Sequence, residues 1–513
     1  MVKERLRVVS VVFAAPFLLG QGGGSLGEGL QITHGVASGD VTDRSAVIWS
    51  RADGPAELMV EVDTDPAYPS PLRLRSGNSA ESDFTAHVLL EGLQPVTRYF
   101  YRVRFQDASG ASSPGLEGTF RTAPARQDHV DAVSLIVGGD VGGQGYCRER
   151  DGGYRVFETM GDLAPDFFIA NGDMIYADYD CPLEGPEGRE NVPGGFPRID
   201  APEVDWTDRA RVQELYWEYW RYDRGDHHFQ EFLGRTPVYV QWDDHEVIND
   251  FGAGWRWWPH HPDRDGFPNL VEAGRQALFD YNPIRRNPEE PGRIYRSFRW
   301  GKDMELFLID ARSYRDLNDR PDAVSLPKTL LGREQLEWLE EGLITSDATW
   351  KIVSSDVPLS VPTGSSPQTF GRDGWANGTA NDFSARTGFE NELLELLLSL
   401  DGANLTNLVF LVTDVHCPVS IRYDVDLDGD GDRLLFHEFI SGPLVAGKLP
   451  GVPSLDPTLR PVILFGEGDV FNFGYYRLEK RADGKVYFLA DVRDETGGVR
   501  PGSSVELEPG AKH

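Results

Sequence analysis

The sequence contains little cysteine. Only Cys147, Cys181 and Cys417 occur among its 513 residues. A small and odd number of cysteines excludes a fold built on a complete disulfide framework. A bridge between Cys147 and Cys181 is possible outside the cytoplasm, and the alternative is that Cys147 is a free thiol.

Basic residues are scarce relative to acidic ones. Fifty lysines and arginines stand against 82 aspartates and glutamates, which gives a formal net charge of −32. No Lys/Arg cluster of the kind that binds nucleic acid occurs, so a specific nucleic-acid partner is not expected. The acidic excess indicates either solubility and salt tolerance or carboxylates that hold cations.

Long apolar runs are also missing. The single candidate is N-terminal, where Lys3, Arg5 and Arg7 precede an apolar run of about a dozen residues and a glycine-rich exit, a layout typical of secretory signals. This run is too short to cross a bilayer. We predict that residues 1–30 are a signal peptide and leader, and that the chain is exported to the periplasm or beyond, without a transmembrane anchor. A frayed apolar tail is the alternative.

Glycine and proline are abundant, with 56 and 34 residues, and predict many turns and surface loops. A chain of 513 residues is expected to form more than one domain. Short strand patterns separated by turns fill residues 31–124. The segment "LQPVTRYFYRVRF", residues 93–105, has the tyrosine-corner pattern of fibronectin-type sandwiches. These patterns predict a β-sandwich over residues 31–124.

Six apolar, β-branched runs then recur between residues 130 and 505, with helical patterns between some of them. Buried strands separated by helices indicate a layered α/β domain, whose ligands gather beyond the carboxyl ends of the strands. Every run ends in aspartate, and the residues concerned are Asp140, Asp173, Asp243 with Asp244, Asp310, Asp356 and Asp414. They are interpreted either as convergent ligands or as turn and cap residues.

Convergent carboxylates repel one another unless cations lie between them, and hard oxygen ligands suit hard ions. His245 and His416 also follow strand patterns, and His416 forms a D-x-H pair with Asp414. Tyr176 lies in the same segment as Asp173, where a phenolate ligand would favour ferric iron; a packed aromatic ring is the alternative. The sequence therefore predicts a site for two or more metal ions.

Several motifs taken together resemble one known family. They are "GVASGD", "NGDMIYAD", "WDDHEVIND", "LIDARSYR", "VTDVH" and "FNFG", spread over roughly residues 31–480. The set is similar to the PhoD-like alkaline phosphatases and phosphodiesterases of the calcineurin-like metallophosphatase superfamily. The resemblance implies a fibronectin/Ig-like N-terminal domain and a four-layer α/β/β/α catalytic domain over residues 130–505. It also implies Fe³⁺ and Ca²⁺ at the active site, with Zn²⁺, Mn²⁺ or Mg²⁺ as alternatives.

The resemblance assigns roles to individual residues. Asp173 is implied to be the bridging carboxylate, and His245 is implied to face the phosphate, so these two are the expected catalytic residues. The implied metal ligands are Asp140, Asp173, Tyr176, Asp244, Asp414 and His416.

This sequence departs from the family at the first motif. Asp140 stands where many relatives have cysteine, and Gly142 replaces a histidine of the commoner motif. Cys147 nearby is either a substitute ligand or an inert thiol. Because a carboxylate also binds hard ions, the change affects the identity of the metal more than the presence of a site.

The function implied is hydrolysis of phosphomonoesters or phosphodiesters by a hydroxide shared between two metal ions, with no protein nucleophile. No G-x-S-x-G elbow supports a serine nucleophile. The alternatives are a phospholipase D-like phosphodiesterase that cleaves lipid headgroups and a non-catalytic calcium-binding surface protein. The expected partner is accordingly a phosphate-ester small molecule or a phospholipid headgroup.

Three further features keep two interpretations each. The loop "DVDLDGDGD" is either an additional structural Ca²⁺ site or a solvated hairpin tip, and its acids are Asp426, Asp428, Asp430 and Asp432. The loop containing Trp255, Trp257, Trp258, His260 and His261 is either a substrate-facing lid or packed structure. Arg312 and Arg315 bind either phosphate or neighbouring aspartates.

Near the metal motif, Asn249 and Asp250 are expected to support the ligands, and Asp243 and Glu246 to orient them.

Overall fold

A computed structural model describes residues 29–129, 131–252, 264–318, 320–363, 373–376 and 387–510. Residues 1–28 of the predicted leader and the tryptophan-rich loop at 255–261 lie outside the described residues. Among the described residues, no helix combines the length and apolar character that a membrane span requires.

The first part of the chain is all β. Its strands are β1 (Ile32–Gly39), β2 (Ser45–Ala52), β3 (Glu57–Asp63), β4 (Leu72–Gly77), β5 (Thr85–Glu91), β6 (Arg98–Gln106) and β7 (Leu116–Arg121), with a 3₁₀ turn at Ala80–Ser82. Burial alternates residue by residue along β3 and β6, as expected for strands with one face against a core. The Tyr99 hydroxyl accepts a hydrogen bond from the Gln94 backbone N–H at 2.9 Å, the tie expected at a tyrosine corner.

The second part alternates strands and helices. Its strands are β8 (Ala132–Gly138), β9 (Phe167–Asn171), β10 (Val238–Gln241), β11 (Arg296–Trp300), β12 (Met304–Leu308), β13 (Trp350–Ser355), β14 (Leu408–Val412), β15 (Val419–Val425), β16 (Leu434–Ile440), β17 (Val462–Gly466), β18 (Asn472–Lys480), β19 (Val486–Asp494) and β20 (Val505–Leu507). Its helices are α1 (Arg155–Asp162), α2 (Arg209–Arg224), α3 (His227–Arg235), α4 (Phe267–Tyr281), α5 (Arg333–Thr345) and α6 (Glu390–Gly402), with 3₁₀ turns at Pro186–Gly188 and Arg264–Gly266.

The strands form three sheets, of which the two larger are mixed and the smallest is antiparallel. One sheet has the order β20-β19-β18-β8-β9-β10-β1-β2-β5, the second has the order β11-β12-β13-β14-β16-β15-β17, and the third is β4-β3-β6-β7. Strand β1 pairs in parallel with β10, with Gly39 opposite Val238. Three strands of the N-terminal segment therefore extend the sheet that carries β8, β9 and β10.

Two sets of parallel strands place their carboxyl ends together. Within the first sheet these are β8, β9 and β10, and within the second they are β12, β13, β14 and β16. Side chains at the strand ends bond across the sheets: the Asn171 amide donates to the Ser355 carbonyl at 2.8 Å, and the Gln241 amide donates to the Ile309 carbonyl at 2.8 Å. The residues that follow all these strands consequently converge.

Alternate residues of the central strands enter different apolar cores. Leu135 of β8 packs in a core that includes Leu306 of β12, whereas the next residue, Ile136, packs in a core supplied by α1, α2, α3 and α4. Val353 of β13 packs in a third core with α5 and α6. Burial on both faces explains why these strands read as continuous apolar runs rather than alternating ones. A separate core lies within the N-terminal β segment.

Candidate metal centre

Three acids that follow parallel strands have an unusual backbone conformation. Asp140 after β8, Asp173 after β9 and Asp414 after β14 have φ angles of 60°, 52° and 71°. Residues other than glycine seldom adopt this left-handed region, and such residues cluster at functional sites, where the surrounding structure holds them. The turn directs each carboxylate off the end of its strand.

One group of possible ligands combines both sheets. Ligand atoms of Asp140, Asp173 and His416 lie within 4.8 Å of one another. The Tyr176 hydroxyl joins them, at 3.3 Å from Asp140 Oδ1 and 3.2 Å from His416 Nε2. His416 Nδ1 is held by the Gly447 carbonyl, so Nε2 faces the group. These four side chains could hold one metal ion.

Two further groups continue from the first. Asp173, Asp244 and His245 form the second, and Asp244, Asp250 and Asp373 form the third, again within 4.8 Å. Asp173 is common to the first two groups and Asp244 to the last two. This arrangement brings together acids from well-separated parts of the chain, and it can accommodate more than one ion.

Three carboxylate oxygens at or beside these groups are buried and have no hydrogen bond within the described structure. Two belong to members of the groups, Asp140 (Oδ2) and Asp244 (Oδ1), and the third to Asp414 (Oδ2), a predicted ligand that belongs to none of the three groups. A buried carboxylate oxygen without a partner is costly, and a cation would satisfy all three. The donors are carboxylate and phenol oxygens with the imidazole nitrogen of His416, a set that fits iron, calcium, manganese or magnesium. The residues present therefore fit a metal centre.

The electrostatics of these acids lead to the same conclusion. Burial, and then the charge of Asp244, raise the pKa of Asp173 well above its usual range. Burial likewise raises the pKa of Asp140 and Asp414, and burial with the Asp173 charge raises the pKa of the Tyr176 phenol. Ions in the groups would oppose these shifts, because they stabilise the ionised forms.

His245 has the opposite balance. Its Nδ1 lies 2.6 Å from Asp178 Oδ1, and its Nε2 lies 3.9 Å from Asp244 Oδ1. Burial favours the neutral ring, but the Asp178 and Asp244 carboxylates outweigh it and raise the pKa of His245 to about 10. The Tyr176 ring stacks on the imidazole with 4.1 Å between ring centroids. The ring is thus held in place, and its two carboxylate neighbours favour the imidazolium.

The neighbours of His245 in the sequence hold loops together. The Glu246 carboxylate accepts hydrogen bonds from the backbone N–H groups of Asp173, Met174 and Asp243, at 2.9, 2.7 and 2.8 Å. It ties the loop after β9 to the loop after β10. Asp243 Oδ1 accepts from Arg312 Nε at 2.6 Å and takes no place in the three groups.

Arg312 and Arg315 are bound by acids. Arg312 is fully buried and pairs with Asp243 and Asp373, and Arg315 donates to Asp373 Oδ1 at 2.7 Å. The sequence left open whether these arginines bind phosphate or neighbouring aspartates, and in the structure they bind aspartates.

The two remaining strand-end acids, Asp310 and Asp356, lie outside the three ligand groups. Asp310 accepts hydrogen bonds from the Trp242 indole and from the backbone of Arg312 and Ser313, so it caps the turn after β12. Neither oxygen of buried Asp356 has a hydrogen-bond partner in the described structure; Arg312 Nε lies 3.8 Å away.

A cleft of about 440 Å³ opens onto the groups. Its lining includes the predicted site residues Asp244, His245, Asp414 and His416, together with Asn249 and Asp250. It also includes residues that sequence patterns did not indicate, namely Gln144, Gly447, Lys448, Leu449 and Pro453. Asp178 and Asp373 were missed as well. Asp178 shares the segment of Asp173 and Tyr176, a signal that could have found it, whereas no pattern marks Asp373.

Comparison with known protein families identifies the chain. The model of the PhoD-like phosphatase family matches residues 135–475, and the model of its N-terminal domain matches residues 25–124. The chain belongs to the PhoD-like phosphatase family.

Individual relatives agree with this membership. Alkaline phosphatase D of Bacillus subtilis (strain 168) is 25% identical over 446 residues, which cover 81% of this chain and 69% of the relative. A solved structure of PhoD superposes with a TM-score of 0.71 at 21% identity, covering 94% of this chain and 90% of that one. The purple acid phosphatase PPD1 from yellow lupin seeds superposes with a TM-score of 0.58 at 13% identity, covering 94% and 74%. Both structures share the fold of this chain.

The state of Cys147, near the first motif of this PhoD-like chain, differs from both roles considered for it as a single cysteine. Cys147 forms a disulfide with Cys181, so it is neither a substitute metal ligand nor a free thiol. Its sulfur is engaged covalently and cannot coordinate as a thiolate. The third cysteine, Cys417, is free and buried.

Only two of the four acids in the loop between β15 and β16 approach a common point in this PhoD-like chain. Asp426 and Asp428 approach Asp401 of α6 within 4.8 Å, while Asp430 and Asp432 do not belong to that group. Asp426, Asp428 and Asp430 accept hydrogen bonds from nearby backbone N–H groups of their own turn. These local bonds explain why the four acids do not converge.

Proposed function

We propose that this chain is an exported, metal-dependent phosphoesterase that hydrolyses phosphomonoesters, phosphodiesters or both. The observation that carries the proposal is the convergence of Asp140, Asp173, Asp244 and His416 beyond the carboxyl ends of strands from two sheets, where buried oxygens of Asp140 and Asp244 have no partner in the described structure. Membership of a phosphatase family supports the same class of reaction.

The ligand set divides into two parts in this proposal. Asp140, Tyr176 and His416 would hold one ion and Asp244 would hold a second, with Asp173 available to both because it belongs to two groups. Asp414, which lines the same cleft, would add a carboxylate to the second. Iron and calcium are the ions that the family resemblance implies, and the oxygen-rich donor set supports hard cations in general. When bound, such ions supply Lewis acidity that activates water and offsets the charge of a phosphoryl group.

His245 supplies a fixed positive charge at the cleft. Its Nδ1 is engaged by Asp178, which leaves Nε2 directed towards Asp244 and the cleft. Because the ring carries a proton at neutral pH, it can donate a hydrogen bond to a phosphoryl oxygen and stabilise the charge that develops there. Glu246 maintains the geometry by fixing the backbone at Asp173 and Asp243.

The cleft also sets the size of the substrate. At about 440 Å³ it lies in the range of sites that enclose small organic ligands. A phosphate group with an alcohol on one or both sides would fit such a space, which supports both mono- and diesters.

We extend the proposal to the architecture and the location of the protein. The catalytic domain is assigned to residues 130–505 with a helix–sheet–sheet–helix order of layers, and the N-terminal domain to residues 31–124. The separate cores on either side of each central sheet support this order. The Cys147–Cys181 disulfide supports export, since such bonds persist in oxidising compartments.

The test begins with purified protein stripped by a chelator. Hydrolysis of p-nitrophenyl phosphate and of bis(p-nitrophenyl) phosphate should vanish on stripping and return with Mn²⁺ alone or with Fe³⁺ and Ca²⁺ together. Phosphatidylcholine vesicles, assayed in parallel, test for a lipid-restricted phosphodiesterase. Metal uptake without turnover of any substrate would contradict the enzyme and favour a calcium-binding surface protein. A His245→Ala variant that retains metal but loses activity would tie turnover to this cleft.

A further inference from the structure

The Cys147–Cys181 disulfide joins two loops that carry candidate metal ligands. Asp140 precedes Cys147 in the loop that follows β8. Asp173 and Tyr176 precede Cys181 in the loop that follows β9. The disulfide therefore links the two segments that contribute Asp140 and Asp173 to the first ligand group.

These two loops contact each other on the strand side as well. The Val141 N–H donates to the Asp173 carbonyl at 2.8 Å, and the Tyr176 hydroxyl reaches Asp140. Farther from the strands the link is covalent. Both disulfide sulfurs lie against the Gly142 carbonyl, at 3.5 Å for Cys147 and 3.8 Å for Cys181. The disulfide thus supports the backbone turn that carries Asp140.

The need for such a link follows from the charges. Without cations, the buried carboxylates repel each other whenever they are ionised, as the effect of the Asp244 and Asp140 charges on the pKa of Asp173 shows, and this repulsion acts to separate the loops that carry them. A covalent bond between the loops limits that separation. When ligands are held close together before binding, less free energy is lost on ordering them, and affinity rises.

We infer that the Cys147–Cys181 disulfide is a positioning device for the metal centre, holding Asp140 and Asp173 at binding distance before a metal ion arrives. The inference rests on the proposed metal-dependent function. It predicts that the disulfide raises metal affinity, whereas a disulfide that only stabilised the fold would leave affinity unchanged.

The test is calorimetric titration of chelator-stripped protein with Mn²⁺. The Cys147→Ser/Cys181→Ser variant is expected to bind Mn²⁺ about 10- to 100-fold more weakly than wild type, the usual effect of losing support for metal ligands. The control is Leu478→Ala, a buried residue of β18 that pairs with Val133 at the amino end of β8, away from the ligands. It should lower the melting temperature while leaving the Kd for Mn²⁺ unchanged.

The outcomes separate the inference from the proposed function. Equal Kd values for wild type and the double serine variant would overturn the positioning role but leave the phosphoesterase intact. Absence of Mn²⁺ binding by wild type, with Fe³⁺ and Ca²⁺ also failing to bind, would overturn the metal centre itself.

A second route covers the case in which the serine variant does not fold. Folded wild type is reduced with tris(2-carboxyethyl)phosphine, which converts the disulfide to two thiols while the phosphine takes up oxygen from water. The phosphine is then removed and the Mn²⁺ titration repeated under nitrogen. The same loss of affinity is expected, and an unchanged Kd would contradict the inference.

Discussion

His245 Nδ1 lies 2.6 Å from Asp178 Oδ1, and both side chains are buried beside the cleft. The second oxygen of Asp178 accepts a hydrogen bond from the Asn249 N–H at 2.9 Å, so the carboxylate is fixed at both ends. The imidazole is consequently held in one orientation, and the carboxylate raises its pKa. Asp178 belongs to none of the three ligand groups, so in the proposed function it would act through His245.

The first prediction concerns Asp178→Asn. Removing this carboxylate should lower the pKa of His245 from about 10, because Asp178 is the main charge that opposes burial of the imidazolium. An NMR titration of the metal-free protein measures this shift. With metal restored, kcat/KM should fall about 10- to 100-fold. Asp180→Asn is the matched control, since Asp180 is an exposed acid of the same loop; an equal loss in both variants would contradict the role of Asp178.

The second prediction concerns the pH dependence of metal-free stability. Burial raises the pKa of Glu246 to about 7 and of Asp250 and Asp356 to about 8. A carboxyl group with a higher pKa in the folded state binds more protons folded than unfolded, so stability falls as the pH rises. The melting temperature of chelated protein should therefore decrease from pH 6 to about pH 9, as measured by differential scanning calorimetry.

Added metal is expected to reduce that decrease, because cations stabilise the ionised carboxylates. His245 contributes with the same sign: its stabilisation is full below its ordinary pKa and is lost as the pH rises towards about 10. A melting temperature that rises over this interval in chelated protein would show that burial does not control these acids.

The strand-end acids could be predicted from sequence because a strand buried on both faces forms a continuous apolar run that stops abruptly. Asp140 and Asp310 look identical in that pattern. They differ only in the folded chain, where Asp310 is bound by the Trp242 indole and nearby backbone while Asp140 Oδ2 has no partner in the described structure. Such a distinction depends on contacts between distant segments.

Other features had no local signal at all. The pairing of β1 with β10 joins segments far apart in the chain, and nothing near Gly39 indicates its partner Val238. No apolar, β-branched run precedes Asp373 in the sequence, yet it binds two arginines that follow β12. The disulfide was one of two open possibilities, because spacing alone does not determine whether two cysteines meet.

The third prediction concerns the buried arginine. Arg312 pairs with Asp243 and Asp373 and lies 3.8 Å from Asp356. Arg312→Met removes the ion pairs of buried Asp243 and Asp356, while Asp373 keeps Arg315, and it should lower the free energy of unfolding by about 3–5 kcal/mol. Urea denaturation of metal-loaded protein measures the loss. The Arg312→Met/Asp373→Asn variant should be less affected than the two single losses summed, since each single variant already loses the Arg312–Asp373 pair.

Arg481→Met provides the comparison for this effect. Arg481 pairs with Glu506 at the surface, where solvent screens the interaction, so little change is expected. Equal losses for the buried and the exposed arginine would contradict the role assigned to Arg312.

The fourth prediction concerns the bridging carboxylate. Asp173 belongs to two of the three ligand groups, so Asp173→Ala should lower the metal content of purified protein more than loss of a ligand that serves one group, such as Asp140→Ala. Elemental analysis measures both. Glu508→Gln, a surface acid paired with Lys485, should retain the wild-type content. Equal metal in Asp173→Ala and wild type would exclude a bridging role.

The last prediction uses two glycines with similar backbones. Gly442 has φ of 104° and lies so close to Asp140 Oδ2 that an added Cβ would overlap it, whereas Gly484 has φ of 83° and open space around it. Alanine should strain both turns by about 1–2 kcal/mol. Only Gly442→Ala should also displace the Asp140 carboxylate, and a shift near 1 Å should lower kcat about 100-fold. Phosphate-ester assays compare the variants; similar activities would contradict a ligand role for Asp140.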